Sequence, residues 1–178
     1  MSDTDLCYTP ASTLARLIRE KSLSPVELVG AVLRRIEASQ PVLNAFITVS
    51  ADQALAQARI AEAAIMAGDV LLPLHGVPLS VKDLINTAGV RTTFGSFALE
   101  HNVPARDSVS VARLKRAGAI LVGKTTTPEF GHKPLTEAPL FGRTLNPWDR
   151  TRASGGSSGG AGAAAAAGLG PLALGTDG

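Results

Sequence analysis

The sequence predicts an α/β protein, a mixed and partly parallel sheet covered by helices and preceded by a helical N-terminal segment. Three observations carry this. Apolar residues recur at helical spacing through the first third of the chain. The pattern turns extended after Asp69, and a helix followed by an apolar strand then occurs twice, over residues 106–122 and 159–174. A single domain is expected over residues 1–178, with a helical part to about residue 70 and the start of an α/β core beyond it.

The elements follow in order. Leu14, Leu17 and Ile18 share one face of a short helix over residues 13–21. Ser24-Pro25-Val26-Glu27 reads as a capping box with proline at the first helical position, and Val26, Val29, Val32, Leu33 and Ile36 continue one apolar stripe. That helix is expected to run to about Ser39 and to stop before Pro41. Residues 44–49 are extended, and residues 51–67 form an alanine-rich helix closed by Gly68. In residues 74–83, Leu79 and Val81 alternate with Ser80 and Lys82, the period of a strand. If both faces of the sheet are covered, Lys82 is buried. Val109, Val111, Ala112 and Leu114 mark a helix over residues 106–118, and residues 119–122 a strongly apolar strand.

Composition narrows the function. With 178 residues, 45% hydrophobic and 18% charged, the chain can bury a core. A net charge of +2 from 17 basic and 15 acidic residues argues against nucleic acid or an anionic membrane as partner. Cys7 is the one cysteine, which gives no disulfide framework and no cysteine zinc site and fits a reducing cytoplasm, the expected location. The N-terminus shows neither a basic region nor an apolar core of a secretion signal, and no stretch is apolar enough to span a bilayer. His75, His101 and His132 are scattered without pairing, so no metal site is expected.

The most informative stretch is residues 154–178, SGGSSGGAGAAAAAGLGPLALGTDG. Glycines around Ser157 and Ser158 open backbone angles closed to other residues and permit close approach of another chain. Ala161 to Ala167 form a helix of tiny side chains able to lie almost against a sheet, stopped by Pro171. Leu172, Ala173 and Leu174 then read as a short buried strand delivering residues 175–178 to a sheet end, where ligands tend to bind. A flexible Gly/Ser linker has a similar composition. However, a linker has no reason to run through a proline into an apolar strand.

This stretch strongly resembles the signature of the amidase signature family of serine hydrolases, whose members carry GGSSGG, a small-residue helix and a G-[ST]-D-x-G-G-S segment. The family's G-[IV]-P-x-x-[VI]-K-D segment is matched by Gly76, Val77, Pro78, Val81, Lys82 and Asp83. Further landmarks occur in order at Arg91-Thr92-Thr93, Gly95-Ser96, residues 117–125, Phe141-Gly142 and Asn146-Pro147-Trp148, so the resemblance runs from about residue 10 to residue 178. Ser154 departs from it, since many members have proline there, and is expected to loosen the loop.

The resemblance implies the amidase signature fold, C-terminally incomplete, and hydrolysis of a carboxylic amide without a cofactor. It makes Lys82 the base and Ser157 the bridging residue on a cis peptide, with Ser158 supporting the relay. Thr176, Asp177, Gly178 and Gly131 would serve the oxyanion or the substrate. His132 would border the cleft. The acylated serine would lie shortly past Gly178, so these residues hold the relay without the attacking group and are expected to be inactive alone. The glutaminase subunit of a tRNA-dependent amidotransferase shares fold and relay, but residues 125–134 lack the acidic, methionine-rich character of that subfamily. A non-catalytic fragment or binding module is the alternative of another class. A small-molecule amide is the expected partner, and an unpaired sheet edge is expected to cause association, with a homodimer as one form, or poor solubility.

On the strand alone, Lys82 has a plainer reading as a snorkelling or salt-bridged lysine whose neighbour Asp83 caps a turn. Burial instead disfavours the ammonium form and makes a base. Two rival motifs fail on context. Residues 118–125 match a Walker A pattern, but a strand occupies the place of its loop, and Pro128 blocks the helix. Residues 156–160 match the elbow of α/β-hydrolases, but no apolar strand precedes it and every histidine lies before it.

Overall fold

The computed structural model describes residues 1–177. Among these residues the α-helices are α1 (Asp3–Tyr8), α2 (Ala11–Arg19), α3 (Pro25–Leu43), α4 (Ala51–Ala67), α5 (Val109–Arg116) and α6 (Gly159–Ala166). Strands β1 (Phe46–Val49), β2 (Pro78–Lys82), β3 (Ile120–Thr125) and β6 (Leu172–Leu174) form one sheet in the order β1-β3-β2-β6. The hairpin pair β4 (Glu137–Ala138) and β5 (Gly142–Arg143) lies apart from it. Strand β2 runs parallel to both neighbours, whereas β1 is antiparallel to β3. The sheet is therefore mixed and partly parallel, as the alternation of helix and strand predicts.

Two apolar layers cover it. Ile120 and Val122 face a large core built from α1 to α4 and the alanines of α6, and Leu79, Val81 and Leu121 face Val111 of α5. Both faces of β2 are thus dry, and all five of its residues are buried. That is what places a lysine at the end of this strand out of water.

Several boundaries differ from the sequence expectation. The hydroxyl of Ser2 caps an unanticipated first helix, α1. Helix α3 passes through Pro41 to Leu43 and ends where Asn44 turns left-handed at φ 50°. Proline there removes only the hydrogen bond to the Glu37 carbonyl, and both residues are exposed, so water can replace it. Strand β2 begins at Pro78 because Leu74 to Val77 form a turn closed by the Val77 amide on the Leu74 carbonyl at 3.0 Å. Strand β3 extends to Thr125, so Lys124 lies within it. Helix α6 ends at Ala166 with Ala167 as its cap, and Gly168 turns to φ +67° before Pro171 is reached. Strand β6 is half-buried rather than buried, because β2 covers one of its edges and no strand pairs with the other among the described residues.

Helix α6 rests on β2, β3 and β6. A Cβ on Gly160 would come within 2.6 Å of the Thr126 carbonyl oxygen, whereas one on Gly162 would meet nothing within 4 Å. Helix propensity favours alanine over glycine by about 1 kcal/mol at both positions, but overlap with a packed backbone costs about 1–3 kcal/mol. Gly162→Ala is therefore expected to raise the chain's stability by up to about 1 kcal/mol, and Gly160→Ala to lower it by about 2 kcal/mol, as read by urea denaturation.

Candidate active site

The carboxyl end of β2 delivers Lys82, whose side chain has no solvent exposure. Two other segments meet it there. The first, residues 153–158, is held by Ala153 bridging to Leu145, by the Ser154 amide on the Thr144 carbonyl at 3.1 Å, and by the Thr136 amide on the Gly155 carbonyl at 2.8 Å. A Cβ on Gly156 would lie 2.7 Å from the Leu135 amide nitrogen, so glycine alone fits without displacing that backbone. The Gly156–Ser157 peptide is cis. The second segment follows β6, whose parallel pairing with β2 sets Thr176 beside the lysine.

Lys82 Nζ lies 2.7 Å from Ser157 Oγ, 3.0 Å from Ser158 Oγ and 2.7 Å from Thr176 Oγ1. Ser158 Oγ is fully committed, donating to the Thr176 carbonyl at 2.8 Å while accepting from the Thr176 amide at 3.1 Å and from Lys82. A Cβ on Gly175 would approach Ser158 Oγ to 2.9 Å, so a side chain there would crowd the hydroxyl. Burial holds the Lys82 amine below the usual lysine range, because the ammonium form loses its hydration. The arrangement therefore presents an amine whose charged form is disfavoured by burial to a hydroxyl that donates to no other group among the described residues.

The serines open onto a polar cleft of about 520 Å³, lined also by Gly131, His132, Lys133, Thr176 and Asp177. Gly131, at φ +70°, stands with its Cβ position 3.8 Å from Ser157 Oγ, and its amide donates to the Pro128 carbonyl at 2.9 Å. Asp177 is exposed at the rim. The Thr176 hydroxyl accepts from Lys82, and the Thr176 amide and carbonyl both engage Ser158 Oγ. Gly178, the expected oxyanion donor, lies outside the described residues.

The rival motifs have other places in the structure. Residues 118–125 hold no phosphate loop, since Gly118 sits in a turn against His75 and the rest is strand. His75 Nε2 lies 2.9 Å from the Ala61 carbonyl oxygen. Lys124, which the sequence analysis does not single out, is as buried as Lys82. Its signal in the sequence is a lysine separated only by Gly123 from the apolar run of residues 119–122. Among the described residues no three of His, Cys, Asp or Glu are grouped to hold a metal ion, and no helix is long and apolar enough to cross a membrane.

The chain is similar to known proteins in sequence and in fold. The chain is 51% identical over 155 residues to a Glutamyl-tRNA(Gln) amidotransferase subunit of Roseiflexus sp. strain RS-1, covering 87% of this chain and 32% of that protein. It is 47% identical over 176 residues to a putative amidase of Mycobacterium tuberculosis, covering 98% of this chain and 34% of the relative. The solved structure of a bacterial aryl acylamidase of the amidase signature family superposes with a TM-score of 0.89 at 33% identity, over 93% of this chain and 35% of that one. The chain thus spans about a third of the length of the relatives it matches. Residues 27–178 match the Amidase family model, and with a mixed sheet and a lysine and two serines in contact at its end, the chain belongs to the amidase family.

Proposed function

We propose that the protein hydrolyses a carboxylic amide to the acid and ammonia or an amine through a serine-serine-lysine relay. The observation that carries this reading is the 2.7 Å contact between the desolvated Lys82 amine and Ser157 Oγ at the floor of the cleft. A neutral amine has two N–H bonds, which suit Ser158 Oγ and Thr176 Oγ1, and a lone pair left to face the Ser157 hydroxyl. Ser157 gives its proton to Lys82 and takes one from the attacking serine as that oxygen bonds to the carbonyl carbon. Collapse of the tetrahedral intermediate breaks the C–N bond, and the proton returns from Lys82 through Ser157 to the leaving nitrogen. Water then enters by the same relay and releases the acid.

In this reading the attacking serine is not among residues 1–178 but in a segment that follows Gly178 in the acting protein. Backbone donors beginning at Gly178 hold the oxyanion, each worth about 3–4 kcal/mol. Gly131 and Asp177 border the substrate, and the relay moves protons without a cofactor. The likeness to proteins named as Glutamyl-tRNA(Gln) amidotransferase subunits favours a second reading, a glutaminase using the same relay on glutamine.

The full-length protein carrying these residues is expected to hydrolyse simple amides. Lys82→Met and Ser157→Ala should each lose at least about 10³-fold in kcat, and the 178-residue chain alone should show no turnover. Turnover by that chain would overturn the account of the attacking serine. Faster release of ammonia from glutamine than from other amides would select the second reading.

Since only the neutral amine accepts a proton, kcat/KM should rise with pH through the lowered pKa of Lys82 and level above it. A profile flat on its acid side would count against the lysine as base.

Stability should carry the same signature. The unfolded chain binds more protons than the native one between that lowered value and about 10.4, so wild-type stability climbs with pH across the window. Lys82→Met lacks this term. Its stability relative to wild type should therefore be higher at about pH 6 than at about pH 10, measured by urea denaturation.

A further inference from the structure

A second buried lysine lies on the neighbouring strand. Lys124 pairs in register with Val81, has no solvent exposure, and takes no part in the relay. Its Nζ donates to the Ile85 carbonyl at 2.6 Å, Thr87 Oγ1 at 3.0 Å and Thr92 Oγ1 at 2.8 Å. Both threonine hydroxyls give their own protons elsewhere, Thr87 to the Ile85 carbonyl and Thr92 to the Val90 carbonyl, each at 3.1 Å. All three contacts must then be filled by protons on the lysine, which only an ammonium has. Burial draws its pKa down to about 8, which leaves it charged at neutral pH.

Asp83, the residue after the relay lysine, continues the structure. Its Oδ2 accepts from the Thr93 amide at 2.9 Å and from the Thr93 hydroxyl at 2.5 Å, and its carbonyl accepts from the Phe94 amide at 3.1 Å. Phe94 is left-handed at φ 55°, and its carbonyl receives the amide of Phe130, itself at φ 49°, at 2.8 Å. Such backbone angles on bulky residues persist only where surrounding contacts over-determine them. The two rings stand 6.3 Å apart, and a Cβ on Gly95 would come 2.9 Å from the Thr127 carbonyl oxygen. Phe130 leads directly to Gly131, the wall of the cleft facing Ser157.

We propose that Lys124 and Asp83 are positioning residues: Lys124 ties residues 85–92 beneath the strand ends, Asp83 ties residues 93–95, and together they fix the Phe94–Phe130 contact that sets Gly131 opposite Ser157. The proposal rests on the amide hydrolysis put forward above. Neither residue touches substrate in it; both act through the place of Gly131.

The test uses the full-length protein with Lys124→Met, Thr93→Val, both together, and Lys82→Met as reference. Lys124→Met and Thr93→Val should each lower kcat/KM for a simple amide about 10- to 100-fold, as misplacement of a substrate wall does. The acid limb of the pH profile, which belongs to Lys82, should not move. Because both act on one path, the double variant should fall no more than about twofold below the poorer single one. Hydrogen exchange at the Phe130 amide should speed at least about tenfold in both, with the α6 amides unchanged. Wild-type kcat/KM, an acid limb shifted by Lys124→Met, multiplicative losses, or unchanged Phe130 exchange would each overturn the positioning role. If Lys124→Met does not fold, Thr93→Val decides, since it removes one hydroxyl without changing volume. An active Lys82→Met overturns the hydrolytic relay and this proposal with it, whereas an inactive Lys82→Met beside a wild-type-like Thr93→Val overturns the positioning alone.

Discussion

An amine taken out of water at the end of a fully covered strand is the constraint on which the rest of this structure depends. Nothing in an unfolded lysine distinguishes it from any other. What changes Lys82 is that β2 has helices on both faces and strands on both sides, so its last residue projects where bulk water cannot solvate an ammonium. The fold supplies three hydroxyl groups in place of that water. Hydroxyls can donate as well as accept, so the surroundings of the amine remain satisfied whether it carries two protons or three.

Bringing those hydroxyls close requires chain segments with almost no side chains. Helix α6 seats its first turn against Thr126 because Gly160 has no Cβ, and the preceding loop threads past Leu135 because Gly156 has none. A helix of ordinary residues would stand about 10 Å from a sheet, the spacing of two packed layers, and would carry its amino end out of reach of a strand-borne lysine. The glycines and alanines of residues 155–167 are thus a requirement of distance as much as of flexibility. The cost is a helix with little intrinsic grip, made good by its burial against three strands.

Two lysines on adjacent strands show how surroundings set the hydrogen-bonding demands on one kind of side chain. Both are buried, and burial lowers both from the ordinary lysine range. The two threonine hydroxyls around Lys124 have given their protons elsewhere and the Ile85 carbonyl has none, so all three call for an ammonium. Around Lys82, the Ser157 hydroxyl keeps a proton to give, so a neutral amine fits as well. Their difference lies in the hydrogen atoms of their neighbours rather than in depth.

Much of this is legible in the sequence, because periodicity, glycine and proline are local signals. Residues 51–67 read as the helix that forms, since alanine-rich propensity and a closing glycine act within one turn. Mixed sheet, lysine strand and glycine loop follow from pattern and family resemblance. Boundaries at Pro41 and Gly168 do not follow, because exposure decides whether a proline's lost hydrogen bond matters and because a glycine's turn is chosen by what packs beside it. Neither does the engagement of Thr176 with Lys82 and Ser158, nor the cage of Lys124. The sequence by itself determined which groups are present and which segments are extended, helical or close-packing. Only the tertiary structure decided which hydroxyl meets which amine, because a hydrogen bond is made over less than 3.5 Å between residues nearly a hundred positions apart, a distance set by how the strands pair.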